Sequence, residues 1–429
     1  MFSKILTALC SRKILFWSLL TAVVIAIVVS ATIDNNRQQA WNSDLSKIVS
    51  LLDNRADNSA IAAIESAKFI WGEKPQLNFL QARAYRHLDK QEDFYPLMEK
   101  AQAGGWNIKQ IEHEKHLMEI QLSESPMPKS VLDQVLLSDL APFAENADAL
   151  FKAYSLQWNK DGIDGIVNNW RTSDPVDKHC LPYYRGLIGL VNASGEEAVE
   201  FFNQSISANK DFVPAWLGRG EANLLVRKNQ ESVVSYAEAA RLDPGNRSAL
   251  TGLAYACIAS IKLPEAEKAL LELNADKDTD TQLAKKLARV YVEMEKEDKA
   301  LEILKRYHEA WPLDIEVNAM LASIYQLSGD DKQADIHGAL AAKYQQKRDL
   351  IGGLFDDAML DRNNVPVRLE LGSSLLDYVS REDGVKFLKQ ALFLDPNQLD
   401  ALNLLQQYYT KVGNKFEAKM YQVRISAAK

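Results

Sequence analysis

The sequence predicts an all-α fold, in which stacked helical hairpins form a solenoid that follows a single transmembrane helix. Two observations carry this prediction: small residues recur every 34 positions through the centre of the chain, and residues 14–33 contain no charge. The chain has only 19 glycines and 13 prolines in 429 residues. Long helices joined by short turns fit such a composition better than the many turns of a β-sandwich do.

The uncharged segment at residues 14–33 is long enough to cross a bilayer. At about 1.5 Å per residue, a helix of this length spans about 30 Å, the thickness of the hydrocarbon core. Lys4, Arg12 and Lys13 precede the segment. This basic cluster predicts that residues 1–13 stay on the cytoplasmic side and that the remaining chain lies outside, on the periplasmic side in a bacterium.

A cleaved signal peptide is the alternative interpretation of the same segment. Val29-Ser30-Ala31 offers small residues of the kind that a signal peptidase accepts. The apolar run is, however, longer than the roughly 7–15 residues that are usual in signal peptides. We therefore favour a single-pass membrane anchor over a cleaved signal.

Three positions of a 34-residue unit recur five times in succession. The first is small, at Gly186, Gly220, Ala254, Ala288 and Ala322. Twelve residues later a second small position follows, at Ala198, Ser232, Ala266, Ala300 and Ala334. Four residues further on the chain carries Phe202, Tyr236, Leu270 and Leu304, and then Gly338, which departs from the pattern and predicts a loosened hairpin. Small residues let helices approach closely and large ones fill the groove beside them, so each unit is predicted to be a hairpin that buries its apolar face by stacking.

The period and the alternation of small and large residues resemble the tetratricopeptide repeat (TPR). Arg219-Gly220, Leu287-Ala288 and Leu321-Ala322 resemble the first helix of that repeat, and Ala300, Leu304 and the closing Pro312 resemble the second. The resemblance implies a right-handed TPR-like α-solenoid whose function is to bind other proteins.

This register divides the chain into segments. A linker at 34–40 leads to two N-terminal hairpins at 41–108, and degenerate hairpins follow at 109–178. The five-unit array occupies 179–346. An insert at 347–364 separates it from two C-terminal hairpins at 365–429.

The resemblance also implies a concave face lined by the first helix of each hairpin. The residues of this sequence at those positions are Tyr183, Leu187, Leu217, Glu221, Thr251, Tyr255, Lys285, Arg289, Ala319 and Ser323. The predicted groove is apolar and aromatic at its start and becomes basic further on. An apolar groove of this kind marks a site for a partner helix or an extended peptide. Two alternatives stay open: these side chains pack against neighbouring hairpins, or the insert at 347–364 fills the groove.

The sequence contains no recognisable catalytic or metal-binding motif. His113 and His116 are three residues apart, whereas the helical zinc-protease motif needs histidines four apart. The net charge of −8 and the lack of a long basic block disfavour nucleic acid, whose phosphates need a positive surface. We expect no catalysis, no metal, no cofactor and no small-molecule substrate.

Three functions are compatible with these features. The favoured one is a membrane-anchored scaffold or assembly factor that binds proteins through the groove. The second is a periplasmic chaperone-like holder of translocating or unfolded client proteins, suggested by the apolar start of the groove. The third is an enzyme in the degenerate region 109–178, which needs a polar pocket with convergent titratable groups.

Overall fold

The computed structural model describes residue 32 and residues 34–123, 129–136, 138–156, 160–168, 178–273 and 282–428. The predicted transmembrane helix at 14–33 lies outside these residues, apart from Thr32. Among the described helices, none combines the length and the apolar character that a membrane crossing requires.

Every regular element in the described ranges is an α-helix, and successive helices pair as antiparallel hairpins. The prediction of an all-helical, TPR-like solenoid is therefore confirmed for this part of the chain. The N-terminal helices are α1 (34–53), α2 (Asp57–Trp71), α3 (Pro75–His87), α4 (Gln91–Ala103), α5 (Ile108–Gln121), α6 (Lys129–Leu136), α7 (Phe143–Leu156) and α8 (Lys160–Asn168). The central helices are α9 (Cys180–Val191), α10 (Gly195–Ala208), α11 (Val213–Leu225), α12 (Asn229–Leu242), α13 (Arg247–Ala259), α14 (Leu263–Glu272), α15 (Gln282–Glu293), α16 (Glu297–Ala310), α17 (Ile315–Leu327) and α18 (Asp331–Leu360). The C-terminal helices are α19 (Val365–Tyr378), α20 (Arg381–Leu394), α21 (Leu399–Lys411) and α22 (Lys415–Ala428).

Large side chains of one helix occupy the space that small residues leave on two others. The Phe202 ring lies so close to Gly186 and Gly218 that a Cβ at either position would come within 2.7 Å and 2.4 Å of it. Tyr236 has the same relation to Gly220 and shares the buried core. The recurring small residues of the sequence are therefore the points where successive helices approach most closely.

The turns inside the hairpins share one backbone conformation. Residues with positive φ occur at Ala193, Arg227, Ile261, Glu295 and Gly329, again 34 positions apart. Only glycine adopts this left-handed conformation without a steric cost, because other residues bring Cβ close to the backbone. Four of these five turns therefore contain a strained residue other than glycine, because the tight reversal of the chain requires this conformation.

Two of the predicted segments take a different form in the structure. Residues 34–40, predicted as a linker, are helical and form the exposed first turns of α1. Residues 347–360 of the predicted insert continue α18 without a break. That second half of α18 stays helical because Ile351, Leu354 and Ala358 share one face and pack against α19 and α20.

The first hairpin contacts the central array directly. The backbone N–H of Ser59 donates to Oδ1 of Asp243 at 2.9 Å, and Nδ2 of Asn58 donates to Oδ2 of the same residue at 3.0 Å. The backbone N–H of Val213 donates to the carbonyl oxygen of Asn54 at 3.0 Å. We call these contacts the first-hairpin clamp, and they make the solenoid close on itself.

The C-terminal hairpins also fold back onto the array. Nη1 of Arg381 in α20 donates to the carboxylate of Asp314 and, at 3.0 Å, to the hydroxyl of Tyr307. Nζ of Lys285 donates to the carbonyl oxygen of Val379 at 3.1 Å. We call these contacts the C-terminal latch. On the array the latch contacts α15, α16 and the N-cap residue of α17, beside the end of the predicted groove.

Candidate protein-binding site

A cavity of about 910 Å³ lies between the N-terminal hairpins and the first helices of the central array. The turn before α2, the turn after α3 and helix α7 form its charged wall, and α9 and α11 form most of its apolar wall. The apolar residues in the lining include Tyr183, Leu187, Phe212, Val213, Leu217, Leu250 and Leu273. We call this space the central cavity.

Four predicted groove residues line the central cavity together: Tyr183, Leu187, Leu217 and Glu221. The ring of Tyr183 meets that of Phe212 edge to face, with centroids 5.3 Å apart. Burial raises the pKa of the Tyr183 phenol above its usual range, so this ring stays neutral. The apolar start of the predicted groove is thus one wall of the central cavity.

Glu221 is the charged group on this apolar wall. Burial raises the pKa of its carboxyl group, because the lining removes water that would otherwise stabilise the anion. Within the described residues, no cation lies within ion-pair distance of Glu221. A positive group on a bound ligand would gain a partner here without displacing one.

Most of the charged groups on the opposite wall are already paired. Nη2 of Arg55 lies 3.5 Å from Oε1 of Glu145 and 3.6 Å from Oδ2 of Asp148. Burial raises the pKa of the nearby Asp53 carboxyl group, and the neighbouring charge of Glu145 adds to this effect. This wall gives the cavity a polar side that can accept hydrogen bonds from a peptide backbone.

A buried charge network supports this wall from behind. Arg86, which is fully buried, donates from Nε to Glu114 at 2.7 Å and also binds the carboxylate of Glu145. Nδ1 of His87 lies 2.6 Å from Oδ1 of Asp57, and Nε2 lies 2.9 Å from Oε2 of Glu145. Burial opposes ionisation of Glu145, but Arg55, His87 and Arg86 outweigh it and hold the pKa of this carboxyl group well below its usual range. The network ties α3, α5 and α7 to the turn before α2.

This network is a poor catalytic site. A general base works best when its pKa lies near the working pH, whereas the pKa of Glu145 is strongly lowered by its cations. Both ring nitrogens of His87 are bonded to carboxylates, so neither points to a substrate. The groups of this region are arranged to hold helices together.

The two histidines whose spacing was compared with a zinc motif make separate contacts in the structure. Nε2 of the buried His113 lies 2.8 Å from Oδ1 of Asn146, and Nδ1 of the half-buried His116 lies 3.6 Å from Oε2 of Glu119. In the part of the chain that the structure describes, no group of three or more histidine, cysteine or acidic side chains could hold a metal ion.

The remaining predicted groove residues lie apart from the central cavity. Lys285 is 2% exposed and belongs to the C-terminal latch, so it does not face solvent as the groove prediction required. Thr251 is half-buried, and the Tyr255 ring lies 5.4 Å from Nζ of Lys286. Nη2 of Arg289 pairs with Glu316 at 2.7 Å.

A smaller cavity of about 430 Å³ lies on this side of the molecule. Arg289 and Ala319 line it together with Tyr378 and Val379 from the C-terminal hairpins. Ser323 is exposed but is not part of its lining. The predicted groove is therefore divided: its start opens into the central cavity, and its end is shared with the C-terminal hairpins.

Sequence reasoning did not find the charged half of the central cavity. Asp53, Arg55 and Asp148 come from hairpins far along the chain from α9 and α11. Their positions carry no motif, because the wall depends on the closure of the solenoid. In the structure Arg55 adopts a positive φ in the tight turn that brings its side chain to the cavity.

Comparisons with known proteins agree with the repeat architecture. Residues 204–341 match the family model described as tetratricopeptide repeat, which confirms the predicted repeat type for that segment. No curated protein is similar to the chain at a significant level.

Several solved structures share a part of the fold. A MamA fragment from Desulfovibrio magneticus RS-1 is 19% identical, with 40% of this chain and 98% of that chain covered and a TM-score of 0.38. YrrB, titled a TPR protein with an unusual peptide-binding site, is 18% identical over 47% of this chain and 96% of its own, with a TM-score of 0.29. The pilF protein of Pseudomonas aeruginosa is 16% identical over 54% of this chain and 97% of its own, with a TM-score of 0.33. At this identity and superposition the likeness concerns helical-repeat folds and carries no functional argument.

Proposed function

We propose that this protein is a membrane-anchored scaffold or assembly factor that holds a segment of another protein in the central cavity, without catalysis. The observation that supports this most directly is the cavity itself, in which Tyr183, Leu187 and Leu217 form an apolar wall opposite a charged one. Sites that bury a ligand usually combine an apolar lining with a few placed polar groups.

The chemistry of the walls indicates which kind of segment fits. An apolar side chain gains from contact with Leu187 and Leu217, since both are only partly covered by the protein itself. A lysine, an arginine or an amino terminus of the partner gains an ionic contact with Glu221. An extended peptide can supply both groups and can direct its backbone toward the polar wall of Asp53 and Arg55.

Membrane attachment is part of the same proposal. It is supported by the uncharged run at 14–33, the basic residues before it and the position of the array directly after it. In this proposal the array faces the periplasmic side. Protease added to intact spheroplasts is expected to remove the array and leave a short membrane stub, whereas survival of the array until lysis contradicts this orientation.

A chaperone-like holder of varied clients needs a broad and accessible apolar surface. Here the apolar part of the groove is divided, because Tyr183, Leu187 and Leu217 line the central cavity and Tyr255 lies apart from it. The C-terminal latch buries Lys285 further along. The unpaired carboxylate of Glu221 in this site favours a partner of defined sequence. We therefore place the scaffold ahead of the holder.

Photo-crosslinking in membranes tests the proposed cavity. A photoreactive amino acid replaces Leu217, inside the cavity, or Val234, which is 54% exposed on α12 and outside it. We expect a discrete crosslinked partner from position 217 and not from position 234. A second variant, Leu217→Asp with the crosslinker at position 187, is expected to lose the same product.

Two outcomes contradict the proposed site. If positions 217 and 234 give the same products, the cavity has no special role. If position 217 captures a broad range of unrelated proteins, the holder function replaces the scaffold.

A further inference from the structure

The end of α2 presents two neighbouring apolar side chains to solvent. Phe69 is 93% exposed and Ile70 is 60% exposed. We call this pair the apolar tip. Adjacent large apolar residues that stay uncovered mark a contact surface more often than isolated ones do.

Indole rings and cations lie directly beside the apolar tip. The Trp41 and Trp71 rings meet edge to face with centroids 5.8 Å apart, and Nε1 of Trp71 donates to Asp44 at 2.8 Å. The guanidinium of Arg37 lies 5.8 Å from the Trp71 ring, and Nζ of Lys74 lies 5.0 Å from the Trp41 ring. Indoles beside long basic side chains are the residues that proteins place at the level of lipid headgroups.

The position of the apolar tip in the chain explains which surface it can meet. Helices α1 and α2 are antiparallel, so the end of α2 lies beside the start of α1, as the contact of Arg37 with Trp71 shows. Residues 34–40 at that start are all exposed, and they follow the uncharged run at 14–33 directly. Seven helical residues rise about 10 Å. The headgroup layer on each side of a bilayer is roughly 5–7 Å thick, and membrane helices tilt by about 20° on average.

We propose that Phe69 and Ile70 insert into the headgroup layer of the membrane that residues 14–33 enter, so that the first hairpin lies against the bilayer. This inference rests on the membrane anchor of the proposed function and adds a second contact to it. The anchor brings the apolar tip close to the lipid, and the tip then fixes the orientation of the solenoid above the surface.

The charges around the apolar tip indicate how this contact depends on salt. Nζ of Lys68 lies 3.7 Å from Oε2 of Glu73, whereas Arg37 and Lys74 lie over the Trp71 and Trp41 rings. Insertion of Phe69 and Ile70 is the apolar part of the contact, and Arg37 and Lys74 add an attraction to anionic lipid. Added salt is expected to weaken only this second part, because screening acts on exposed charges.

Depth-dependent quenching tests this contact with the full chain in vesicles of phosphatidylcholine and phosphatidylglycerol. In a Cys10→Ser background the remaining Cys180 and Cys257 are buried, so an introduced thiol is labelled selectively. Ile70→Cys places an environment-sensitive fluorophore beside the intact Phe69. Leu327→Cys, at a site that is 69% exposed on α17, is the matched control. A spin label near the lipid headgroup is expected to quench position 70 several-fold more than position 327.

Each outcome decides a separate point. Stronger quenching at position 70, lost when Phe69→Ser is added, supports the inference. If the chain floats with the vesicles but both positions are quenched equally, the inference is overturned and the anchor stands. The fluorophore at position 70 could instead be shielded from water without being quenched by the lipid spin label. If this shielding disappears on dilution, a second copy of the chain covers the tip and the inference is also overturned. If the chain does not float with the vesicles, the anchor itself fails and the inference fails with it.

Discussion

The backbone N–H of Ser59 donates a hydrogen bond of 2.9 Å to Asp243, although the two residues are 184 positions apart in the sequence. Asp243 is fully buried and also accepts from Asn58 and Asn246. One carboxylate therefore joins the first hairpin to the turn between α12 and α13. This contact closes the solenoid and gives the central cavity its second wall.

The first prediction concerns this carboxylate. Asp243→Ala is expected to lower the free energy of unfolding by about 1–3 kcal/mol, because it leaves the Ser59 N–H and two amides without an acceptor. Hydrogen exchange should rise in the turn before α2, and urea titration should give the change in stability. Asp211→Ala, at an exposed loop position nearby in the sequence, is the control and should change neither. Unchanged exchange around Ser59 would contradict the first-hairpin clamp.

The second prediction concerns Arg381 in the C-terminal latch. Arg381→Ala is expected to destabilise the protein by about 3 kcal/mol, because it leaves the buried Asp314 with fewer compensating charges. Hydrogen exchange should increase across α19 and α20 before it does in α9 to α12. Lys386→Ala lies on the same helix and removes an exposed ion pair with Asp383, so it should cost less than about 1 kcal/mol. Equal losses for the two variants would show that the latch contributes no more than a surface pair.

The third prediction concerns acid. The pKa of Glu145 is lowered in the folded chain, so its ionised form contributes stability that is fully present above the unfolded pKa of about 4.3. This stability is lost as the pH falls below that value toward the lowered pKa. Urea unfolding between neutral pH and about pH 3 should show this loss of stability. The Glu145→Gln variant should be less stable at neutral pH, and its stability should depend less on pH over this range. Glu231→Gln, at an exposed site on α12, should leave the pH dependence of stability unchanged.

The fourth prediction concerns the left-handed turn residue Ile261. It has a φ of +56° and is 81% exposed, so its side chain contributes little packing while its β-branch strains the backbone. Ile261→Gly is expected to raise the free energy of unfolding by about 1 kcal/mol. Ile261→Ala removes the same side chain but keeps a Cβ in the left-handed region, so its gain should be smaller. Thermal or urea unfolding measures both, and a loss of stability in the glycine variant contradicts the strained turn.

The fifth prediction concerns Gly352 and Gly353, two adjacent glycines inside α18. A Cβ at Gly352 or Gly353 meets nothing within 4 Å, so Gly353→Ala should stabilise the helix by about 1 kcal/mol. Gly372→Ala in α19 is the opposite control, because its Cβ would lie 2.8 Å from Leu388 and should destabilise the protein. Unfolding experiments that rank the two substitutions in the reverse order would contradict the packing of this region.

Sequence periodicity predicted the local structure because hairpin stacking is a contact between neighbours. The relation of Phe202 to Gly186 and Gly218 recurs one unit later between Tyr236 and Gly220 and Gly252, so self-comparison of the sequence finds it. The insert was predicted as a separate segment because it breaks the 34-residue register. Ile351, Leu354 and Ala358 are spaced so that they share one face of a helix. In the structure this face packs against α19 and α20, and the packing keeps the second half of α18 helical.

Closure of the solenoid could not be predicted in the same way. The contact of Asp243 with Ser59 joins units that do not follow each other, and no periodic pattern relates the two positions. Lys285 shows the consequence for the site. Its place in the repeat predicted a basic groove, but the position is buried and contacts the turn between α19 and α20, whose docking depends on the contact of Arg381 with Asp314.

The first-hairpin clamp also restricts how this family of sequences can change in length. In an open solenoid a repeat can be gained or lost by duplication or deletion, since each unit touches only its neighbours. Here a unit added between Ser59 and Asp243 would rotate the two halves of the clamp away from each other and dismantle the cavity wall at Arg55. Homologous proteins should therefore differ in their number of repeats only outside the interval from Ser59 to Asp243, and the number of repeats within that interval should stay constant.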